Sequence, residues 1–291
     1  MIAEAAPNYH RRRQRLSQAF AVVCASATFL CVLILVGLLV SVVWNGIHVI
    51  DWQFLIGFPS RDPEKAGIWF ALIGSLWLIG LTTLLSVPIG VGAAIYLEEY
   101  AAESWWRRLV QLNISNLAGV PSIVYGILGL GLFVRALALE RSVISGALTL
   151  TLVVLPVVIL AAQEALRAVP NTIRHASYAL GASRWQTVWY QVLPAALPGI
   201  MTGVILAVAR ALGEAAPLVA VGTAAMVTFA PSSLSDEFTA LPLLIFEWAS
   251  RPQAAFHELA AGAILVLLLV LVVLNMGAVY VRYRYGKRIR W

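Results

Sequence analysis

Charged side chains are scarce in this sequence of 291 residues, of which only 12% are Asp, Glu, Lys or Arg. An average soluble domain carries about 25% charged residues, whereas 61% of this chain is hydrophobic and its mean hydropathy is +0.86. Such a composition leaves too little polar surface to cover a water-soluble fold. It excludes an ordinary cytosolic enzyme, a disordered chain, a collagen and a coiled coil, and it predicts an integral membrane protein.

Cysteine and histidine are also rare, with two and four residues in the whole chain. Cys24 and Cys31 stand in one apolar run, and their separation along a helix is about 10.5 Å, which rules out a disulfide between them. The sequence has no metal-ligand spacing and no Ser–His–Asp arrangement, so it predicts neither a metal site nor catalytic residues. The phosphate-loop motif of ATPases is missing as well, so we do not expect this chain to hydrolyse ATP.

The sequence does contain six apolar runs long enough to cross a bilayer, which takes about 20 residues. These runs cover residues 19–44, 68–97, 109–134, 142–163, 188–221 and 259–281. The first run follows a basic arm, residues 1–18, and is too long for the apolar part of a signal peptide, so we expect an uncleaved anchor helix. The predicted fold class is an all-α membrane protein with six transmembrane helices.

Lysine and arginine are distributed unequally between the two sides of the membrane that these runs define. With the N-terminus inside, fourteen of the twenty basic residues fall in inner segments, including the tail 282–291, and five fall in outer segments. The positive-inside rule therefore predicts that both termini are cytoplasmic. Because the basic residues flank apolar runs, we expect them to meet membrane lipid rather than nucleic acid.

The internal loop after the fourth run, residues 164–190, contains residues typical of the starts and ends of two short helices. Asn171 or Thr172 is expected to cap the first helix, and Gly181 stands where that helix ends in a left-handed residue. Ser183 is expected to start the second helix. The loop is therefore predicted to form a helix–glycine–helix elbow at the cytoplasmic surface, either as an interfacial anchor or as a knob for a partner's groove.

Two other segments at the membrane edges carry charge. The external loop, residues 223–257, includes the apolar stretch 241–248, which is too short to span and predicts a surface-lying or partly re-entrant helix. Glu98, Glu99 and Glu103 follow the second run on the inner side. We expect these carboxylates to be solvated, with contact to a basic partner surface as the alternative.

Arg210 and Glu214 lie within the fifth run, four residues apart and therefore on one helix face. A charged residue near the bilayer centre costs about 2.5 to 3.5 kcal/mol, so we expect both to face the bundle interior and to pair. A guanidinium matches two phosphate oxygens, which makes Arg210 a candidate anion-binding residue on a substrate pathway, with Glu214 holding or releasing it. A structural ion pair or a clamp between subunits is the alternative.

The third run is interrupted by small residues and a proline. Gly119, Pro121, Ser122 and Gly126 lie in this interruption. A broken helix can turn backbone N–H groups towards an anion and so line a pathway. Small residues also let neighbouring helices approach closely, and both interpretations remain open.

Several stretches together resemble one family. They include AIYLEEYA (94–101), NISNLAGVPSIVYGILGLGLFVR (113–135) and RALGEAAPL (210–218). They resemble the phosphate-specific ABC transporter permeases, and most closely the PstA branch, over about half of the chain. The elbow is similar to the cytoplasmic EAA motif of ABC permeases, which Ala176, Gly181, Leu193 and Pro194 match in register. His175, Ser177 and Gln191 depart from the motif, and His175 replaces its glutamate.

This resemblance implies a type I ABC importer permease over residues 68–281, in the inner membrane of a prokaryote, that translocates inorganic phosphate. It implies three kinds of partner: a second, PstC-type permease, a dimer of ATP-binding subunits and an extracytoplasmic phosphate-binding protein. ATP and Mg would belong to the ATPase, with no cofactor in this chain. The residues implied to dock on the ATPase are His175, Ala176, Gly181, Ser183, Arg184 and Trp185.

Three alternatives remain at this point. The same architecture can carry another oxyanion, such as sulfate or molybdate. An ion-coupled secondary transporter could use Arg210 and Glu214, but it should lack the elbow and show more ionisable residues along its spans. A membrane sensor or scaffold without transport is the last alternative.

Overall fold

The computed structural model describes residues 6–222, 227 and 229–286, and this part of the chain is built mainly from helices. The helices are α1 Ala6–Gly46, α2 Trp52–Ile56, α3 Trp69–Ile95, α4 Trp105–Ala118, α5 Ser122–Gly129, α6 Val143–Arg167, α7 Asn171–Ala179, α8 Arg184–Thr187, α9 Leu193–Gly213, α10 Ala216–Val221, α11 Leu241–Ala249 and α12 Ala254–Gly286. Three π-helical turns continue α3, α5 and α8, at Tyr96–Tyr100, Leu130–Ala136 and Val188–Val192. Five helical stretches are long and apolar enough to cross a membrane, and one bent pair supplies a sixth. The predicted all-α membrane fold is confirmed.

The first helix is one continuous rod of 41 residues, so residues 6–18 of the predicted basic arm are helical and join the anchor directly. Residues 1–5 lie outside the described part of the chain. The apolar part of α1 is exposed along its length, as expected of a helix surrounded by lipid. Near its end, Gly46 lies against the backbone of Ala261 in α12, where an added Cβ would come within 2.6 Å. A glycine is therefore required at this crossing.

The fourth span, α6, occupies the centre of the bundle and packs against α3 and α9. Val154 and Val158 of α6 are buried with Ile79 of α3 and Ala207 of α9 in one apolar cluster. Ser142 caps the helix and forms a capping box with Ser145, so α6 begins where the sequence predicts. A central helix buried on most sides gives the remaining elements a common support.

The third predicted span is bent by 102° between α4 and α5. Pro121 has no N–H for the carbonyl of Leu117 and disfavours a helical conformation at the residue before it. The hydroxyl of Tyr125 donates to that carbonyl over 2.8 Å, and the backbone N–H of Val120 donates to it over 3.1 Å. The sharp bend thus leaves the freed acceptor satisfied.

The fifth predicted span is shorter than the sequence indicates, because α9 ends at Gly213 and not near residue 221. Pro217 cannot donate to the carbonyl of Gly213, and the chain restarts as the separate helix α10. Pro194 and Pro198 do not interrupt the span, since helix continues from Arg184 to Gly213 through both of them.

The external loop folds onto the outer ends of the spans, and its residues 223–226 and 228 lie outside the described part. The predicted helix in this loop is present as α11, and its apolar face is buried against the chain's own helices. Its Leu241, Leu244 and Trp248 form an apolar cluster with Phe54 of α2 and Phe256 of α12. The short apolar stretch therefore completes the core of the chain.

The same loop also fixes the start of α6. The backbone N–H of Val143 donates to the carbonyl of Asp236, and that of Ile144 donates to the carbonyl of Leu234, each over 3.0 Å. These are two of the first N–H groups of α6, which have no partner inside the helix. The loop thus satisfies donors that would otherwise face the membrane edge.

Candidate functional site

Arg210 and Glu214 form an ion pair in the structure, with 3.1 Å between Arg210 Nε and Glu214 Oε1. The pair does not lie on one helix, because α9 ends at Gly213 and Glu214 has extended backbone angles. Its environment also differs from the expected bundle interior. The Arg210 side chain is 51% exposed within this chain, while that of Glu214 is 16% exposed. The guanidinium therefore faces outward, with one carboxylate beside it and its remaining donors free of that partner.

Arg210 belongs to an uncovered face of α9. Leu206, Arg210 and Gly213 are exposed, and their spacing places them on one side of the helix. One helical turn or more further in, Gly199 and Gly203 are in close contact with Ala165 and Ala161 of α6. An open groove of about 1060 Å³ lies between the first half of α9, at Pro198, Gly199 and Thr202, and the end of α12. Arg282 crosses the groove and donates to the hydroxyl of Thr202 over 2.9 Å. One side of the last two turns of α9 is thus left uncovered by the helices that the structure describes.

The residues of the predicted helix break separate into two groups. Gly119 and Pro121 are exposed at the bend, and Ser122 is partly exposed at the start of α5. Gly126 is buried, and an added Cβ would lie 2.6 Å from both the carbonyl oxygen of Pro217 and the Cβ of Ala220. For Gly126 the geometry is that of close packing between α5 and α10, the structural alternative, and pathway lining is the poorer interpretation.

The predicted elbow is present as α7 and α8. Gly181 has a φ of +80°, in the left-handed region that favours glycine, and it ends the first helix as expected. Ser183 caps α8 through a capping box with Gln186. The first helix is capped differently from the prediction, because Pro170 occupies the N-cap position and Asn171 is already helical. The side chain of Asn171 instead accepts from Arg174.

The two elbow helices are joined to each other by side chains on their inner faces. The hydroxyls of Ser177 on α7 and Thr187 on α8 are 2.8 Å apart. The rings of Trp185 and Trp189 stack at 5.5 Å along the second helix, and both are exposed. All the residues predicted to dock on an ATPase are exposed: His175, Ala176, Gly181, Ser183, Arg184 and Trp185. At the tip, Leu180 is 89% exposed. The elbow therefore presents an outer surface with an apolar tip.

Two carboxylates expected to be solvated are buried at the root of the elbow. Within the π-helical turn after α3, the side chains of Glu98 and Glu99 are only 9% and 6% exposed. Glu98 pairs with Arg107 of α4 and Arg167 of α6. The expectation of solvated charge is wrong for these two residues, because each has arginine partners from other helices. Glu103 is exposed, as expected.

Glu99 pairs with Arg174, which lies on the first elbow helix. Arg174 Nη2 lies 2.6 Å from Glu99 Oε1, and Arg174 Nε lies 3.2 Å from the same oxygen. The sequence reasoning missed this contact. A usable signal was present, since both glutamates and all their arginine partners occur at the predicted cytoplasmic edge, where opposite charges can meet.

In the described ranges, no group of three His, Cys, Asp or Glu side chains could hold a metal ion.

In the external loop, hydrogen bonds lower the pKa of one carboxyl group, that of Asp236. The hydroxyl of Ser233, the backbone N–H groups of Ser232 and Ser233 and the hydroxyl of Ser232 all donate to Asp236, and they hold its pKa well below the usual value. This carboxylate is therefore ionised at neutral pH and organises a turn.

Comparison with known sequences finds relatives that are all named as transporter permease proteins. The chain is 34% identical over 284 residues to the phosphate transport system permease protein PstA 1 of Mycobacterium tuberculosis, covering 96% of this chain and 91% of the relative. It is 36% identical to the phosphate transport system permease protein PstA of Haemophilus influenzae, covering 80% and 82%. It is also 33% identical to a probable ABC transporter permease protein, YqgI, of Bacillus subtilis, covering 84% and 87%.

Solved structures agree on the fold. A bacterial alginate ABC transporter, crystallised with its periplasmic protein, matches with a TM-score of 0.64 at 14% identity, covering 92% of this chain and 94% of the other. The MetNI methionine ABC transporter, in an inward-facing conformation, matches with a TM-score of 0.61 at 16% identity, covering 78% and 99%. The predicted architecture, that of a type I ABC importer permease, is confirmed by these likenesses.

The family model described as "Binding-protein-dependent transport system inner membrane component" matches residues 86–291, which include the elbow, the Arg210–Glu214 pair and the last span. Together with its relatives and its apolar helices, this match shows that the chain is a multi-pass inner-membrane protein and belongs to the binding-protein-dependent transport system inner membrane component family.

Proposed function

We propose that this chain is the PstA-type permease subunit of an ATP-driven importer that moves inorganic phosphate across the inner membrane. The observation that carries the proposal is the uncovered face of α9 with Arg210 at its centre. A half-exposed guanidinium within a span is costly in lipid, so a polar pathway or a second polypeptide is expected to cover it. The names of the relatives support phosphate as the solute.

The chemistry of Arg210 suits a phosphate group. Inorganic phosphate carries one to two negative charges near neutrality, and a guanidinium offers a planar fork of donors that matches two of its oxygens. Glu214 holds Arg210 by its Nε, so the terminal Nη groups are the donors left for an anion. In this proposal Glu214 orients Arg210 and prevents it from holding phosphate too tightly for release.

Three partner types follow from the proposal. A second, PstC-type permease covers the open face of α9, so that the pathway forms between the two chains. An extracytoplasmic phosphate-binding protein delivers phosphate at the outer side. A dimer of ATP-binding subunits, which holds ATP and Mg, receives the elbow on the cytoplasmic side. This chain itself contributes no catalytic residue, and its other neighbour is membrane lipid.

The outer surface of the elbow is the proposed docking site for the ATPase. His175, Ala176, Arg184 and Trp185 are exposed on the two elbow helices, with Gly181 and Ser183 shaping the turn between the helices. Since His175 occupies the position of the glutamate in the EAA motif, an acidic contact of the family is replaced here by an imidazole. The docking surface keeps its apolar knob, and we expect docking to persist without that carboxylate.

The solute is tested with the whole complex in detergent or nanodiscs. The binding protein is loaded with phosphate, sulfate or molybdate, and the stimulation of ATP hydrolysis is measured. The proposal predicts stimulation by the phosphate-loaded protein alone. Stimulation by sulfate or molybdate, with no response to phosphate, would keep the architecture and overturn the substrate.

A further inference from the structure

The root of the elbow is fastened to the transmembrane helices by five charged residues, which we call the carboxylate clamp: Glu98, Glu99, Arg107, Arg167 and Arg174. We propose that this clamp transmits the movement of the elbow to α3 and α4, and that Glu99 and Arg174 are its central positioning residues. The inference rests on the proposed function, because it assigns the route by which a docked ATPase would act on the spans.

The clamp is centred on a π-helical turn, Tyr96–Tyr100, that continues α3. Consecutive residues of a helix point in different directions, so neighbouring carboxylates can reach different partners. Glu98 turns to α4 and α6, whereas Glu99 turns to α7. Insertions of π geometry occur frequently at functional sites. One short turn thus connects four helices.

Arg174 is bound more completely than a simple ion pair requires. Its Nε and Nη2 donate to Glu99, and its Nη1 donates to the carbonyl of Val169 over 2.7 Å and to the side chain of Asn171 over 3.3 Å. A second Nη2 bond reaches the carbonyl of Leu166 over 3.0 Å. Every N–H of the guanidinium therefore has an acceptor, an arrangement that the three donors of a lysine cannot reproduce.

The two faces of α7 have different surroundings. Arg174 is 15% exposed and faces the clamp, and the exposed His175 lines one cavity with it and with Glu99. Ala176 and Ala179, in contrast, are exposed outside that cavity, on the outer face of α7. A partner that pushes on the outer face therefore acts on a helix whose inner face is bonded to α3. A buried charge pair with several hydrogen bonds resists sliding more than apolar contacts do, since its geometry is directional.

The clamp also reaches α4, the helix before the bend, through the ion pair of Glu98 with Arg107. No residue of α4 is buried, so few apolar contacts hold this helix to the rest of the chain. Its side-chain attachments to the π-helical turn and to α6 are the pair of Arg107 with Glu98 and two reciprocal amide hydrogen bonds, of 3.0 and 2.8 Å, between Gln111 and Gln163. A displacement of Glu98 is therefore passed to α4, and through the bend to α5.

The test compares transport and ATP hydrolysis in proteoliposomes that contain the full complex. Glu99→Gln removes the charge of the central pair and keeps the shape of the side chain. We expect the variant complex to assemble and to retain at least about half of its ATPase rate, while phosphate uptake falls about tenfold. The number of ATP molecules hydrolysed per phosphate imported would then rise about fivefold or more. Glu103→Gln, an exposed carboxylate five residues from Glu98, is the matched control and should leave this ratio unchanged.

A second variant keeps the proposal testable if Glu99→Gln does not assemble. Arg174→Lys retains the charge but loses the fork and the bonds to α6, so it should raise the same ratio about fivefold. A purely structural role would lower uptake and ATP hydrolysis in proportion, with the ratio at the wild-type value.

The outcomes separate this proposal from the proposed function. If the wild-type complex imports a different oxyanion, the substrate assignment fails, and the ratio is measured with that solute instead. If the wild-type complex imports phosphate and either Glu99→Gln or Arg174→Lys, once assembled, has the wild-type ratio, the clamp does not transmit movement and the inference is overturned.

Discussion

Arg210 and Glu214 are paired across the end of a helix, with the arginine on the last turn of α9 and the glutamate on the extended residue that follows it. The glutamate is largely covered and the arginine is half exposed. The pair therefore fixes an outward-facing guanidinium at a point where the fifth span stops. This relationship makes an anion pathway along the open face of α9 a testable idea.

Replacement of Arg210 should affect transport more than assembly. A hydrogen bond to a charged group contributes about 1.5 to 3 kcal/mol, so Arg210→Ala should lower the rate of phosphate uptake by about 10- to 100-fold at low phosphate. Arg210→Lys keeps the charge without the planar fork, so its uptake rate should lie between those of the wild type and Arg210→Ala. Uptake by reconstituted complexes is the measurement, with subunit content as the control. Uptake by Arg210→Ala within twofold of wild type would contradict the assigned role.

Gly181 should be replaceable only by a residue that tolerates its left-handed backbone. A side chain at φ +80° costs about 1 to 2 kcal/mol for most residues, and asparagine accepts this region more easily. Space is not the constraint, because an added Cβ meets nothing within 4 Å. We expect Gly181→Val to weaken binding of the ATPase subunit about tenfold and Gly181→Asn to change it less than threefold. Equal binding by both variants would show that the turn does not shape the docking surface.

Gly126 and Gly131 form a matched pair for testing helix packing. An added Cβ at Gly126 would collide with α10, whereas one at Gly131 meets nothing within 4 Å. Overpacking of this kind costs about 1 to 3 kcal/mol, so Gly126→Ala should lower the thermal unfolding temperature of the purified chain. Gly131→Ala should leave it unchanged or slightly higher, since alanine restricts the unfolded chain. Equal unfolding temperatures for the two variants would contradict the close approach of α5 and α10.

The turn around Asp236 should lose its stabilising effect in acid. Hydrogen bonds from Ser233 and Ser232 lower the pKa of this carboxyl in the folded chain, whereas an unfolded aspartate has a pKa of about 3.9. The contribution is therefore complete above about pH 4 and is lost as the pH falls further, towards the folded pKa.

Thermal unfolding of wild type and Asp236→Asn across a pH series measures this effect. The wild type should unfold at the higher temperature from pH 8 down to about pH 5, and the difference should shrink below about pH 4. The exposed neighbour Glu237 provides the control variant Glu237→Gln. A difference between wild type and Asp236→Asn that grows as the pH falls would have the wrong sign for the proposed hydrogen bonds.

The spans were predictable because the thickness of a bilayer imposes a length on every apolar run. Gly181 and Ser183 were predictable for a similar reason, since left-handed turns and helix caps depend on local chemistry that a short stretch of sequence contains. The position of the break in the third run also followed from Pro121, but its 102° bend did not, because that angle depends on which helices pack on either side.

The clamp lay beyond sequence reasoning. Glu98 and Arg167 are 69 residues apart in the chain, and Glu99 and Arg174 are 75 residues apart, so no local pattern joins them. Pro217 indicates that α9 ends early, but the apolar residues that follow it made the run look like one continuous span. The exposure of Arg210 is a property of how α9 packs, and a single span cannot reveal which of its faces the other helices leave open.

The proposed phosphate import is tested most directly by accumulation of ³²P-phosphate in proteoliposomes that contain this chain, its partner permease, the ATP-binding subunits and the binding protein. A phosphate importer of this kind should show uptake that requires ATP and the binding protein, and that excess sulfate or molybdate does not reduce. A fully assembled complex that hydrolyses ATP yet accumulates no phosphate, or a complex that accumulates phosphate from an ion gradient without ATP, would contradict the proposed function.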